Sequence, residues 1–287
     1  MTSLPKKLER KWGFLTAQDG MRKAPIQALM RLISWRARCS LGKETIVRMP
    51  RWNLQISLPA NWRGQAKRVF AFRENYEPEL IYLEKLLSPG SVFIDVGANI
   101  GIYALVASKL VGEAGRVIAF EPSAQSFPLL QQNIELNGLK NIRAFRVALA
   151  DRIRKAWLYH PGVPECNSLA RDSSSEDEAE EVTVETLDDM VKRASISRVD
   201  VIKIDVEGAE ELVLRGAANV LASMRPAVIF EVNPSYAALF GLSVQGSSKL
   251  LEGLGYEFLT LGSVSISSKS HYYYNRVAVH SNGNESG

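Results

Sequence analysis

From Ser91 the chain reads Ser-Val-Phe-Ile-Asp95 and then Val-Gly97-Ala-Asn99-Ile-Gly101. A short apolar run ends in an acid and breaks into a turn that holds two glycines. The run has the length of a buried strand, and residues 100–110 carry a helical pattern behind it. A strand that turns tightly into a helix opens a βα unit, and in open α/β sheets ligands bind outside the carboxyl ends of the strands. The alternation then repeats. Strands are expected over 116–120, 142–149, 199–204 and 227–230, and helices over 123–137, 209–221 and 235–254. Gly138 sits where a left-handed helix cap belongs, and Thr186 starts a further helix. Two last strands fall near 257–261 and 273–279. Such an order requires crossovers, so the fold class is α/β: a doubly wound, mostly parallel, seven-stranded Rossmann-type sheet with helices on both faces.

The flanks break this rhythm. Residues 1–74 are expected to form a basic extension, with a helix over 25–38 and two short strands over 45–58. The helix places Ile26, Leu29, Met30 and Ile33 on one face, which is expected to pack on the main domain, although such a stripe also suits a membrane surface. A helix over 78–87 leads into the main domain, which runs from 75 to 280. A β-hairpin insertion after the third strand covers about 152–185, with a polar, acid-rich loop over 172–181 expected to be solvated and mobile. Residues 281–287 are expected to fray.

Charge divides the same way. The whole chain carries +4, but residues 1–73 hold sixteen Lys and Arg against three acids, leaving −9 on the rest. The segment therefore suits an anionic surface or its own acidic domain. No aromatic-rich RNA motif or DNA-reading helix accompanies it, so no nucleic-acid partner is expected. Only Cys39 and Cys166 occur, without metal spacing, and the opening MTSLPKKLER lacks a signal-like apolar stretch. Both point to a cytoplasmic protein. No run of 18 apolar residues is present, leaving peripheral membrane contact as the membrane option.

The acids choose the ligand. A dinucleotide usually sits on G-x-G-x-x-G, whereas here the glycines are spaced G-x-x-x-G behind Asp95. That acid would repel a pyrophosphate and suit an ammonium. Glu121, at the end of the second strand, is placed to accept ribose hydroxyls. A nucleoside joined to an α-amino acid describes S-adenosylmethionine. A nicotinamide oxidoreductase and a non-catalytic binding protein on the same fold are the competing readings.

Three stretches in order resemble one family: Asp95-Val-Gly-Ala-Asn-Ile-Gly101, Phe120-Glu-Pro122, and Val199-Asp-Val-Ile-Lys-Ile-Asp-Val-Glu-Gly-Ala-Glu210 leading into Leu214-Arg-Gly216. Together they look like the FkbM family of S-adenosylmethionine-dependent methyltransferases, over about residues 75–235. The resemblance implies that Asp95, Gly97, Asn99 and Gly101 line the methionine side of the cofactor and that Glu121 holds its ribose. Asp151 is the substitute for an adenine-reading acid, because the usual position aligns with Ala148. It also implies O-methylation of a sugar or small-molecule hydroxyl. Glu207 or Asp205 is the expected general base, and Glu231 or Asn233 places the acceptor. His160 and Asn167 would reach the substrate from the insertion. No metal is assigned. Asp205, Glu231 and Asn233 are the oxygen ligands that a catechol-type Mg²⁺ site would use.

Overall fold

A computed structural model describes residues 19–60, 64–161, 166–171, 178–259 and 274–281. Its centre is a seven-stranded sheet. In chain order the strands are β3 (Val92–Val96), β4 (Arg116–Phe120), β5 (Ile142–Phe145), β9 (Val201–Ile204), β10 (Ala227–Val232), β11 (Tyr256–Leu259) and β12 (Tyr274–His280). They lie in the order β11-β12-β10-β9-β3-β4-β5. The five from β10 to β5 run parallel, and β12 is antiparallel to both its neighbours.

Side chains of a strand alternate between faces, so the apolar runs build two cores. Phe93, Val117, Val201, Ile229 and Val277 belong to one, with the Ile102–Val111 helix. Ile94, Phe120, Ile202, Phe230 and Ala278 belong to the other, with the Leu187–Arg193 and Gly246–Gly253 helices. Parity also puts Asp95, Lys203, Glu231 and Asn275 on the first face, at one end of the strands. Asp95 lies opposite Lys203, and Glu231 opposite Asn275.

The first core continues into the N-terminal segment. β1 (Thr45–Met49) and β2 (Leu54–Leu58) form an antiparallel hairpin around a turn at Pro50–Trp52. Val47, Met49, Ile56 and Leu58 pack with Val69 and Leu80, from the Gln65–Phe72 and Pro78–Leu86 helices, in the core that holds Phe93. The outer edge of β2 is satisfied by side chains. Asn137 exchanges bonds with the backbone of Gln55 (2.8 and 2.6 Å), and Asn133 accepts from the Ser57 amide (2.7 Å). Two residues of strand and four of helix both advance about 6 Å, so the two asparagines match alternate strand residues. Asn133 is fully buried and also donates to the Ile100 carbonyl at 3.0 Å. Asn133→Ala should therefore cost about 2–4 kcal/mol, because two buried backbone groups lose their partner. Urea midpoints of the two proteins measure it.

Several sequence expectations need correction. The third strand, expected over 142–149, is two strands. β5 stays in the large sheet, while β6 (Ala148–Leu149) joins β8 (Glu178–Glu185) and β7 (Arg154–His160) in a separate three-stranded sheet. Arg146 stands at the break and bonds Glu180 on β8 (2.7 Å), which draws the chain out of the large sheet. Glu178–Glu181, assigned to a solvated loop, are strand; residues 172–177 of that loop lie outside the described residues. The helix expected over 209–221 breaks at Gly216. A β-carbon there would sit 2.0 Å from the Ala150 carbonyl oxygen, a contact closer than any side chain permits. The apolar stripe of the Pro25–Ser40 helix does not pack. Ala28 and Trp35 on the opposite face are buried instead. Of the expected frayed tail, only Ser281 is described. Among the described residues no helix is long and apolar enough to cross a membrane.

Candidate cofactor and acceptor site

The ends of β3, β4, β9 and β10 form one rim. The loop after β3 is fixed by backbone bonds. The Gly97 and Ala98 amides both donate to the Phe120 carbonyl at 2.9 Å, and the Asp205 amide donates to Val96 at 2.9 Å. Gly97 has φ +82°, and a β-carbon on it would lie 1.8 Å from the Asp205 carbonyl oxygen. The missing β-carbon makes room for the backbone leaving β9. Gly101 starts the Ile102–Val111 helix at φ +94°. Its missing β-carbon makes room for Leu130 on the neighbouring helix.

Glu121 joins the two loops. Its carboxylate accepts from the Asn99 amide at 2.7 Å and from the Ser123 amide at 2.9 Å. Each oxygen takes one of these bonds, which leaves acceptor capacity on both. Asn99 itself is left-handed (φ +52°), and its side-chain oxygen is buried without a partner, as is Asp95 Oδ2. The other bond to the Asp95 carboxylate comes from the Ala104 amide, in the first turn of the following helix. The rim thus offers unfilled buried acceptors. That is what a ligand bearing an ammonium and ribose hydroxyls requires, so the residues fit S-adenosylmethionine. Asp151 is not part of this group. It pairs with Arg154 at 3.0 Å and lies beside Gly216, at the end of the Glu210–Arg215 helix that leads away from the rim.

The second group of acids surrounds Lys203. This lysine is 1% exposed, sits 3.1 Å from Asp205 Oδ2 and lies over the Tyr103 ring at 5.2 Å. Burial opposes its charge, but Asp205, Glu77 and Glu231 outweigh that and hold the ammonium above its ordinary value. Tyr103 donates to Glu77 at 2.6 Å, which links the N-terminal helices to the rim. Carboxylate oxygens of Asp205, Glu207 and Glu231 lie within 4.8 Å of one another. Burial, then the charges of Asp205 and Glu207, push the Glu231 carboxyl well above the usual range, and its Oε2 has no partner.

Glu207 stands on a braced turn. It has φ +51°, and Glu210 folds back to accept from the Val206 and Gly208 amides at 3.1 and 3.2 Å. Glu210 is thus what holds Glu207 in place. Asn233, the alternative to Glu231 for placing the acceptor, caps the Pro234–Leu239 helix, and the acids that converge are Asp205, Glu207 and Glu231.

The insertion closes over this turn. Ser168 donates to the Glu207 carbonyl at 3.0 Å, and Cys166 pairs with the Tyr236 hydroxyl. His160, expected to face substrate, has both ring nitrogens engaged, with Asn167 at 3.0 Å and Glu180 at 3.2 Å. It braces the cover. Asn167 keeps a buried side-chain nitrogen without a partner. Sequence reasoning missed Lys203 and Tyr236. A lysine inside the run Val-Ile-Lys-Ile was the available signal, since a charge in a buried strand needs a partner.

Burial lifts Asp95, Glu121 and Glu210 from ordinary values of 3.8, 4.5 and 4.5 to about 7. The folded protein then binds protons that the unfolded chain has released. Their contribution to stability is full below about pH 4 and is lost as the pH rises through 7. The melting temperature should fall across that window, and Asp95→Asn should flatten the fall. An identical slope in the variant would remove Asp95 from the account.

The Methyltransferase FkbM domain model matches residues 95–258. Methyltransferase 1 of Beauveria bassiana is 30% identical over 145 residues, covering 44% of this chain and 58% of that protein. The hexuronic acid methyltransferase AglP of Haloferax volcanii is 28% identical over 140 residues, 48% of this chain and 54% of the relative. The chain thus spans little more than half the length of these two relatives. A crystal structure of methyltransferase FkbM from Methylobacillus flagellatus KT aligns with a TM-score of 0.41 at 14% identity, over 77% of this chain and 56% of that one. The domain match takes in both acid groups of the rim and covers more than half the sequence, and the chain belongs to the FkbM family of S-adenosylmethionine-dependent methyltransferases.

Proposed function

We propose that the protein methylates a hydroxyl oxygen, on a sugar or a similarly polar small molecule. The observation that carries this reading is the pairing, on one rim, of partnerless buried acceptors at Asp95 and Asn99 with the acidic trio Asp205, Glu207 and Glu231. Bound there, the cofactor supplies a methyl group on a positively charged sulfur. Glu121, held by two backbone amides, takes the ribose hydroxyls, and Asp95 faces the ammonium of the methionine part. Glu207 accepts the proton-bearing side of the acceptor hydroxyl and increases its nucleophilicity as the oxygen advances. Lys203 holds Asp205 in place, and Glu231, whose protonated form is favoured by its burial, faces a second substrate oxygen. A polyol presents both donors and acceptors to such a set. The named action of the Haloferax relative on hexuronic acid is in keeping with it.

Calorimetric titration with S-adenosylmethionine and S-adenosylhomocysteine tests the cofactor half. Binding of both is expected, and Glu121→Ala should weaken it by about tenfold or more through the lost hydroxyl acceptors. No heat from either compound would end the proposal. A labelled-methyl screen against hexuronic acids, other sugars and peptides tests the acceptor. Label on a nitrogen atom instead of an oxygen would refute the second half.

A further inference from the structure

The Pro25–Ser40 helix has two apolar faces. Ala28 and Trp35 are buried against the Gln65–Phe72 helix, with Trp35 5.1 Å from the Phe70 ring. The opposite face points outward. Ile26 is 75% exposed, Met30 and Ile33 66%, Leu29 46%, and Leu41, just past the helix end, 69%. With 3.6 residues per turn these side chains occupy one arc. A contiguous apolar strip of this kind marks a contact surface.

Charge identifies what it contacts. Between Asp19 and Glu44 the chain holds Arg22, Lys23, Arg31, Arg36, Arg38 and Lys43, and no acid. A second copy placed on this face by a twofold axis would bring two such clusters together. The preceding residues 1–18 add four basic residues against Glu9 to the charge of this segment. Anionic lipid is the surface that accepts both the apolar strip and its cations.

We infer that this helix docks the protein on anionic phospholipid membranes, lying in the interface with Ile26, Leu29, Met30, Ile33 and Leu41 among the acyl chains and Arg36 at the headgroups, while Arg31 and Arg38 stay on the packed side against Ala71 and Phe70. The inference is independent of the methyl-transfer reading. One short helix with about five apolar contacts gives reversible attachment that weakens with salt.

Sedimentation of the full chain with phosphatidylcholine vesicles, with and without about one-fifth phosphatidylserine, tests it. Binding is expected only with phosphatidylserine, and should fall about tenfold or more in an Ile26→Glu/Met30→Glu variant and severalfold in Arg36→Glu. All three side chains are exposed, so the melting temperature should stay within a degree or two of the parent. Failure to sediment with phosphatidylserine at low salt, or equal sedimentation by the double variant, overturns the inference. So does light scattering that finds a dimer which the double variant dissolves, because the face then pairs two copies.

Discussion

Gly97→Ala is expected to yield little or no folded protein. At φ +82° an alanine is strained by roughly 1 kcal/mol before any contact is considered. Its β-carbon would also lie 1.8 Å from the Asp205 carbonyl oxygen and 2.9 Å from the Asp205 carbonyl carbon. Neither side of this contact is free to retreat. The Gly97 amide is bonded to Phe120, and the Asp205 amide to Val96, each at 2.9 Å. Relief requires parting β3 from β9 at their ends, which breaks ladder bonds and uncovers Asp95. A loss of about 4 kcal/mol or more follows, comparable with the whole stability of many domains. Soluble yield and urea midpoint measure it. A variant that is soluble and melts near the parent would mean that the loop after β3 is not packed against Asp205 as described.

The second large effect concerns turnover. Glu207→Gln keeps the shape of the side chain and the left-handed turn, since Glu210 still braces the Val206 and Gly208 amides. Under the proposed function it removes the acceptor of the hydroxyl proton. The expected outcome is a kcat lower by about 10²–10³, within the range of general-base contributions, with the affinity for S-adenosylmethionine within about twofold of the parent. A KM effect alone would make Glu207 a binding group. Unchanged turnover would pass the role to Asp205.

Much of this was legible from the residues. Alternation of apolar runs and helical patterns located the strands of the sheet, because parallel strands buried on both faces must be apolar throughout. Gly138 at φ +61° and Thr186 as a cap accepting from the Asp189 amide were readable as local chemistry. The acids at strand ends were readable too, since alternating topology sends Asp95, Glu121, Asp205 and Glu231 to one rim. What failed needed partners distant in the chain. The break after Phe145 depends on Glu180, and the break at Gly216 on Ala150. Asn233 reads equally as ligand or cap until Tyr236 is placed. The Pro25–Ser40 helix misled because counting apolar residues favours Ile26, Met30 and Ile33. Burial goes instead to Trp35, whose single ring removes more surface from water than any one of them.

The asparagine contacts along β2 have an effect beyond holding the hairpin. A free strand border is a template on which foreign chains add themselves, and it is a common origin of fibrils. Here the amide and carbonyl of Gln55, and the amide of Ser57, are already taken by Asn137 and Asn133. The two side chains imitate a neighbouring strand and stop there, which shields this flank of a hydrophobic hairpin from runaway self-assembly.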